Sequence, residues 1–192
     1  MRSLLLHPLA KPLVFLLCLL PLAWLVYGAV ANQLGANPAE ALIRGLGDWA
    51  LRFLCIALAV TPVRIHTRTP QLARYRRMLG LFVAFYASLH LVAYAWLDMG
   101  LDVADIGRDI LKRPFILAGF TAWLLLVPLA LTSTNGMVRR LGGKAWRALH
   151  RLVYLVAPLA LLHFFWMRAG KNDFAEVAVY AVILGALLLD RL

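Results

Sequence analysis

Residues 78–97 read MLGLFVAFYASLHLVAYAWL, a run of 20 residues with no charged side chain. A helix needs about 20 predominantly apolar residues to cross the hydrocarbon core of a bilayer, and a single spanning segment satisfies its backbone there only as a helix. The run contains one histidine, His90. Ionisable groups inside a bilayer cost roughly 2.5–3.5 kcal/mol even on the mildest insertion scale, so they mark functional sites by default. The stretch therefore predicts a membrane helix with a functional histidine in it.

Five more stretches of this kind place the whole chain in a membrane. Its 192 residues are 63% hydrophobic and 15% charged, and the mean hydropathy is +0.79. The first stretch is too long for a signal peptide and lacks a clear cleavage site, so we interpret it as a retained helix. We expect an all-α integral membrane protein, a single domain over residues 1–192, folded as a bundle of six transmembrane helices at about 12–31, 47–63, 78–97, 114–132, 149–167 and 174–190.

Basic residues set the orientation of this bundle. With the N-terminus inside, 13 of the 20 Lys and Arg residues fall at the inner face, so the positive-inside rule predicts that both termini are cytoplasmic. These residues are Arg2, Lys11, Arg64, Arg68, Arg74, Arg76, Arg77, Arg139, Arg140, Lys144, Arg147, Arg151 and Arg191. The formal net charge of +11 is then a topology signal with an added affinity for anionic lipid, and it does not indicate nucleic-acid binding.

Several common kinds of site have no counterpart in the sequence. Cys18 and Cys55, the two cysteines, lie in different apolar stretches without any zinc-binding spacing, so we interpret them as small packed side chains. Gly142 and Gly143 form an isolated pair outside any phosphate-loop pattern. No nucleotide-binding domain is therefore predicted.

Three histidines lie in or at the edge of the apolar stretches. His90 follows Arg77 by 13 residues and His163 follows His150 by 13, which is ~20 Å along a helix at ~1.5 Å per residue. His90 and His163 are therefore expected at one depth, on two helices that run in the same direction. Two such imidazoles suit the two axial positions of a haem iron. The alternative is two unrelated packed histidines.

His150 is expected at the cytoplasmic end of its helix, where it is either a ligand or an ordinary solvated histidine. A spacing of 13 residues turns a straight helix by about 220°, so His150 and His163 would not share a face. Pro158 lies between them and can kink a helix or change its phase. Whether Pro158 does so is open at the level of sequence.

Arg52 lies within the second apolar stretch, four residues after Asp48. One interpretation is a helical ion pair between these two side chains, with the arginine reaching towards the interface. The other is that the Arg52 guanidinium binds a haem propionate.

Several stretches of the chain, together covering nearly its whole length, resemble one family. They are LRFLCIALAVTPVR at 51–64, RRMLGLFVAFYASLHLVAY at 76–94, KRPFILAG at 112–119, PLALTS at 128–133 and WRALHRLVYLVAPLALLHFFW at 146–166. This combination is similar to the MsrQ/YedZ family, the haem-binding membrane subunits of the bacterial periplasmic methionine-sulfoxide reductase system. That family belongs to the ferric-reductase-like transmembrane group, which includes the NADPH oxidases.

The resemblance implies a cofactor, a location and partners. It implies b-type haem on the histidines of the third and fifth helices, which here are His90, His150 and His163. It implies a multi-pass protein of the bacterial inner membrane that takes electrons from quinones, with FMN associated. It also implies that the electrons pass to a periplasmic molybdenum-dependent catalytic subunit that reduces methionine sulfoxide in oxidised proteins, so this chain would be an electron-transfer subunit and not an enzyme on its own.

The sequence departs from the wider group in its third helix. The oxidases carry two histidines on each of two helices, but here Arg76 stands 14 residues before His90 and is followed by Arg77. A guanidinium stays protonated and cannot ligate iron. We therefore expect one haem on His90 and His163, with a second on His150 left open. His150, Arg76 and Arg77 are alternatively a quinone or flavin site near the inner surface.

Two further expectations concern the partner and the competing functions. The outer segment 98–113 carries acidic and basic side chains that would orient a soluble partner, or it is simply a solvated loop. A small haem-free membrane transporter or a haem-free scaffold subunit is the alternative function, and it predicts that the histidines are replaceable.

Overall fold

The structure is a computed structural model that describes residues 5–169 and 172–190. Arg2 and Arg191, which contribute to the predicted orientation, lie outside these residues. Throughout the described ranges the regular secondary structure is helical, without a strand, as the sequence predicts. The chain divides into two compact units, one up to Gly100 and one from Leu101 onward. The prediction of a single domain stays a prediction, and each unit is described by itself.

The first unit holds three long helices. Helix α1 covers Ala10–Val30, α2 covers Pro38–His66 and α3 covers Ala73–Ala93. A short 3₁₀ turn, Pro70–Leu72, connects α2 to α3, and a π-helical turn, Tyr94–Asp98, extends α3. The short connection makes α2 and α3 antiparallel neighbours, and they pack against each other along their length.

The start of α2 is specified locally. Proline at the first position of a helix has the required φ and no N–H group that needs a partner, and Pro38 occupies that position. The Asn37 side chain accepts a hydrogen bond from the Glu40 N–H (3.2 Å) and donates one to the Glu40 carboxylate (3.2 Å). This reciprocal cap begins the helix ahead of the predicted span and places residues 43–47 inside it.

Tyr86 is the most buried large side chain of the first unit, with 0% of its surface exposed. Its hydroxyl donates to the Cys18 carbonyl (2.8 Å) and accepts from the Leu22 N–H (3.1 Å). Residues 18 and 22 are the i and i+4 partners of a regular helical turn, so the hydroxyl bridges backbone groups of α1. Both predicted packed cysteines are buried.

The second unit holds six helices among the described residues. They are α4 Val103–Lys112, α5 Pro114–Leu131, α6 Asn135–Leu141, α7 Gly143–His150, α8 Val153–Ala169 and α9 Ala175–Leu189. Helix α5 packs on α8, and α8 packs on α9. Ala118 and Ala122 of α5 and Ala157 of α8 are buried, and small residues of this kind let membrane helices approach closely.

Five helical segments are long and apolar enough to cross a membrane. They are Ala10–Val30, Pro38–His66, Pro70–Asp98, Pro114–Leu131 and Gly143–Ala169, and they correspond to the first five predicted spans. The sixth, α9, is apolar but has 15 residues. A sixth crossing and the cytoplasmic position of both termini therefore stay predictions.

The structure corrects two details of the sequence interpretation. The segment 98–113 is not a loop, because α4 occupies Val103–Lys112. The predicted fifth helix is interrupted at Arg151 and Leu152, where N–H groups of successive residues bond to carbonyls three positions earlier instead of four. Such 3₁₀ geometry tightens the helix, whereas Pro158 lies inside the continuous helix α8.

Candidate functional site

His90 lies near the end of α3 and faces the beginning of α2. Its Nδ1 atom lies 2.8 Å from the backbone carbonyl oxygen of Ile43. The imidazole also lies directly over Gly47, where an added Cβ would come within 3.0 Å of Nδ1 and 3.1 Å of Cε1. Glycine is therefore the residue that leaves room for this ring position.

His163 has the same surroundings in the second unit. Its Nδ1 atom lies 2.7 Å from the backbone carbonyl oxygen of Phe115, at the beginning of α5. The imidazole lies over Gly119, where an added Cβ would come within 2.8 Å of Nδ1 and 3.0 Å of Cε1. The contact with Gly119 is even closer than that of His90 with Gly47.

The two arrangements repeat one pattern, a carbonyl at position i and a glycine at position i+4 of the same helix. Ile43 and Gly47 supply these positions in α2, and Phe115 and Gly119 supply them in α5. The histidine comes from the antiparallel neighbour, 47 residues after the carbonyl in the first unit and 48 residues after it in the second. Each unit therefore builds the same seat for one imidazole.

This seat prepares an imidazole to bind a metal through Nε2. A carbonyl oxygen can only accept, so the bond places the ring proton on Nδ1 and the ring lone pair on Nε2. Metal-ligating histidines almost always donate their other ring N–H in this way. Within residues 5–169 and 172–190, His, Cys, Asp and Glu form no group of three or more that could hold an ion directly. Haem needs only axial ligands from the protein, and each seat, taken by itself, holds an imidazole suited to be such a ligand.

His150 lies in different surroundings at the end of α7. Its ring stacks on Trp146 with 3.8 Å between centroids, and its Nε2 lies 3.1 Å from Oγ1 of Thr132. The Thr132 hydroxyl donates to the Pro128 carbonyl at 2.6 Å. It therefore accepts from His150, which assigns the proton of that ring to Nε2. The Trp146 indole N–H closes the cluster by donating to the Thr132 carbonyl at 2.9 Å.

The three arginines of the predicted site lie in the first unit. The Arg52 guanidinium carbon lies 4.8 Å from the ring centroid of Trp49, a cation–π contact within α2. Arg76 and Arg77 lie in the first turn and a half of α3, where both are exposed. They are therefore at the opposite end of α3 from His90.

Sequence reasoning missed the partners of the two imidazoles. Gly47 and Gly119 were visible as glycines inside apolar helical stretches, where glycine otherwise weakens a helix by about 1 kcal/mol relative to alanine and so signals a close contact. The carbonyl groups of Ile43 and Phe115 carry no such signal, because every residue has one.

Comparisons with known proteins agree with this architecture. The family described as ferric reductase like transmembrane component matches residues 45–161, a range that includes His90 and His150 and ends two residues before His163. No solved structure gives a significant match.

Relatives match nearly the whole chain. A protein of Polaromonas naphthalenivorans (strain CJ2), named protein-methionine-sulfoxide reductase heme-binding subunit MsrQ, is 67% identical over 96% of this chain and 84% of its own length. Proteins of the same name from Rhodospirillum rubrum and Herminiimonas arsenicoxydans are 53% and 51% identical, over 96% and 95% of this chain and 88% and 84% of their own lengths. The chain therefore belongs to the MsrQ/YedZ family of the ferric-reductase-like transmembrane group.

Proposed function

We propose that this chain is a haem-binding electron-transfer subunit of a methionine-sulfoxide reductase system, with His90 and His163 as the two axial ligands of one b-type haem. The observation that carries the proposal is the repeated seat, in which Nδ1 of each histidine bonds to a helix carbonyl above a glycine. The names of the relatives, which are haem-binding subunits of such a system, support the cofactor.

The residues of each seat have a definite task. The carbonyls of Ile43 and Phe115 hold the rings by their Nδ1–H groups, which fixes the tautomer and the orientation of each ring. Bound haem would supply one-electron chemistry, at a potential that its axial ligands and their hydrogen bonds adjust.

We propose a different role for His150. Its Nε2–H donates to Thr132, so this tautomer does not present the Nε2 lone pair that an axial ligand would use. A stacked, hydrogen-bonded imidazole is suited to receive the proton released when a quinol is oxidised. His150 is therefore assigned to electron entry from the quinone pool, with Arg76 and Arg77 as exposed cations suited to the phosphate of FMN. A second haem on His150 is the weaker alternative.

The proposed direction of transfer rests on the predicted topology and is supported by the names of the relatives. With both termini in the cytoplasm, the ends of α3 and α8 that carry His90 and His163 face the outer side of a bacterial inner membrane. The electrons then leave towards a periplasmic molybdenum-dependent catalytic subunit, and we assign Arg52 to a haem propionate.

The test is the visible spectrum of the purified protein and of its histidine variants. Wild type should show a sharp Soret band and narrow reduced α and β bands of low-spin haem, one per chain. His90→Ala and His163→Ala should each lose the low-spin signature while still inserting in the membrane, and His7→Ala, which changes an exposed histidine, is the matched control. Wild-type haem in both variants would refute the ligand pair, and absence of haem from the wild type would favour the transporter or scaffold alternative.

A further inference from the structure

Helix α4, Val103–Lys112, has an apolar face, and only part of that face is buried by other residues of the protein. Ile110 is buried with 9% of its surface exposed, and α4 packs on α5. Val103 and Leu111 are 81% and 78% exposed, and the preceding Leu101 is 59% exposed. At 3.6 residues per turn, Val103 and Leu111 lie about 80° apart on the helix. We call these two residues, together with the exposed Leu101 that precedes the helix, the exposed apolar strip; it is distinct from the part of α4 that packs on α5.

The position of α4 along the chain places this strip at a membrane surface. Helix α5, Pro114–Leu131, has 18 residues, which corresponds to ~27 Å at ~1.5 Å per residue. That length barely matches a hydrocarbon core of ~30 Å, so the first residues of α5 lie at its boundary. Arg113 alone separates α4 from α5, and its extended backbone (φ −108°, ψ 105°) turns the chain between them. Leu111 is therefore held at the depth where lipid headgroups meet acyl chains.

The opposite side of α4 is polar and electrically balanced. Asp105 pairs with Arg108 at 2.8 Å, and Asp109 pairs with Arg113 at 2.9 Å. From the N-cap Asp102 to the C-cap Arg113, the segment holds three acids, Asp102, Asp105 and Asp109, and three bases, Arg108, Lys112 and Arg113. A neutral polar side stays in water but gives no attraction to anionic lipid.

We propose that α4 is an interfacial helix whose exposed strip, Leu101, Val103 and Leu111, inserts between the lipids of the bilayer. The occupant of this strip is lipid because the strip continues from the membrane-spanning helix α5 and is fixed at the level of its first turn. An amphipathic helix with this division of faces lies in the plane of the interface. The Asp105–Arg108 side then points to the aqueous phase, where it is presented to soluble proteins.

The experiment measures the depth of individual side chains in reconstituted liposomes. In a Cys18→Ala, Cys55→Ala background, single cysteines replace Leu101, Val103 or Leu111 on the apolar strip and Asp105 or Arg108 on the polar side. Each is labelled with a nitroxide, and collision rates with oxygen and with a water-soluble nickel chelate are compared by power saturation. The polar-side labels are the matched controls, because they share the same helix.

Labels on the strip should show a several-fold higher ratio of oxygen to nickel collisions than labels at 105 and 108. The ratio should be the same in phosphatidylcholine and in mixtures with phosphatidylglycerol, because the helix is neutral. Equal nickel access on both sides would overturn the proposal in favour of a solvated helix. Protection of the strip from both reagents would also overturn it, by indicating a protein covering. Because the readout needs no haem, it does not depend on the proposed function.

Discussion

A Cβ atom built on Gly119 would lie 2.8 Å from Nδ1 of His163, closer than such atoms approach in folded proteins. The ring of His163 is simultaneously tied to Phe115 by a 2.7 Å bond. A side chain at residue 119 would therefore have to move the imidazole, the helix or both.

The first prediction is that Gly119→Ala weakens haem retention. Overpacking of this kind costs about 1–3 kcal/mol, and ~1.4 kcal/mol corresponds to a tenfold change in an equilibrium constant. Gly47→Ala should have the smaller effect, because its Cβ would meet His90 at 3.0 Å rather than 2.8 Å. The measurement is haem per purified chain and the rate of haem transfer to apomyoglobin.

Gly185→Ala and Gly80→Ala are the controls, since a Cβ at either position meets nothing within 4 Å. These two variants should retain haem as the wild type does. If all four variants behave alike, the glycines do not position the imidazoles.

The second prediction separates His150 from the axial ligands. His150→Ala should keep a low-spin haem but slow its reduction by a quinol analogue. Thr132→Val should also slow the reduction of the haem, because it removes the hydroxyl that accepts a hydrogen bond from Nε2 of His150 at 3.1 Å. Stopped-flow reduction of the haem band is the measurement, with Ser133→Ala as the control, since the Ser133 hydroxyl donates to the Leu129 carbonyl (2.7 Å). Complete loss of haem in correctly inserted His150→Ala would mean that His150 is a ligand.

The third prediction concerns the soluble partner. Asp102→Asn with Asp105→Asn should slow oxidation of the reduced haem by a periplasmic sulfoxide reductase and methionine sulfoxide at low salt, and the difference should shrink as salt screens it. Asparagine preserves the cap that Asp102 forms with the Asp105 N–H at 2.9 Å. Asp190→Asn, near the predicted cytoplasmic end, is the control. If the enzyme fails to oxidise the haem, the assigned partner is wrong, whereas unchanged rates in the variants would move the docking surface elsewhere.

The fourth prediction is that Tyr86→Phe destabilises the protein without removing a ligand. The variant removes the two hydrogen bonds of the Tyr86 hydroxyl, to the Cys18 carbonyl and from the Leu22 N–H, and a hydrogen bond of this kind contributes about 0.5–1.5 kcal/mol. A thermal melt in detergent should shift downward by about 2–4 °C for each kcal/mol. Tyr27→Phe, which changes an exposed tyrosine, should leave the melting temperature unchanged.

The membrane-spanning helices were predictable because a long apolar run is a local property of the sequence. An apolar run such as 114–132 needs no knowledge of its neighbours, and α5 begins at Pro114 as expected and ends one residue earlier, at Leu131. Helix α4 was missed because its apolar residues alternate with paired charges, so its composition is that of a polar loop. The sequence did contain one signal for this helix, the four-residue spacing that places Ile106 and Ile110 on one helical face.

The surroundings of the histidines were less predictable than the histidines themselves. Depth could be counted from His90 and His163 along their helices. The rotation about the helix axis between His150 and His163 could not be predicted, because it depends on a 3₁₀ turn at Arg151 and Leu152. Trp146 and Thr132 hold the ring of His150 just before that turn, and no proline or glycine at 151 or 152 announces it.

The repeated seat also bears on the ancestry of the fold. An antiparallel helix pair with one carbonyl, one glycine and one histidine is a complete seat for one imidazole, so duplication of a single ancestral pair within a gene would supply two such seats. Between Ile43 and His90 the two helices join through a short turn, while between Phe115 and His163 the chain also forms α6 and α7. The connections can therefore differ while the seat stays the same, because the seat needs only the carbonyl, the glycine and the histidine.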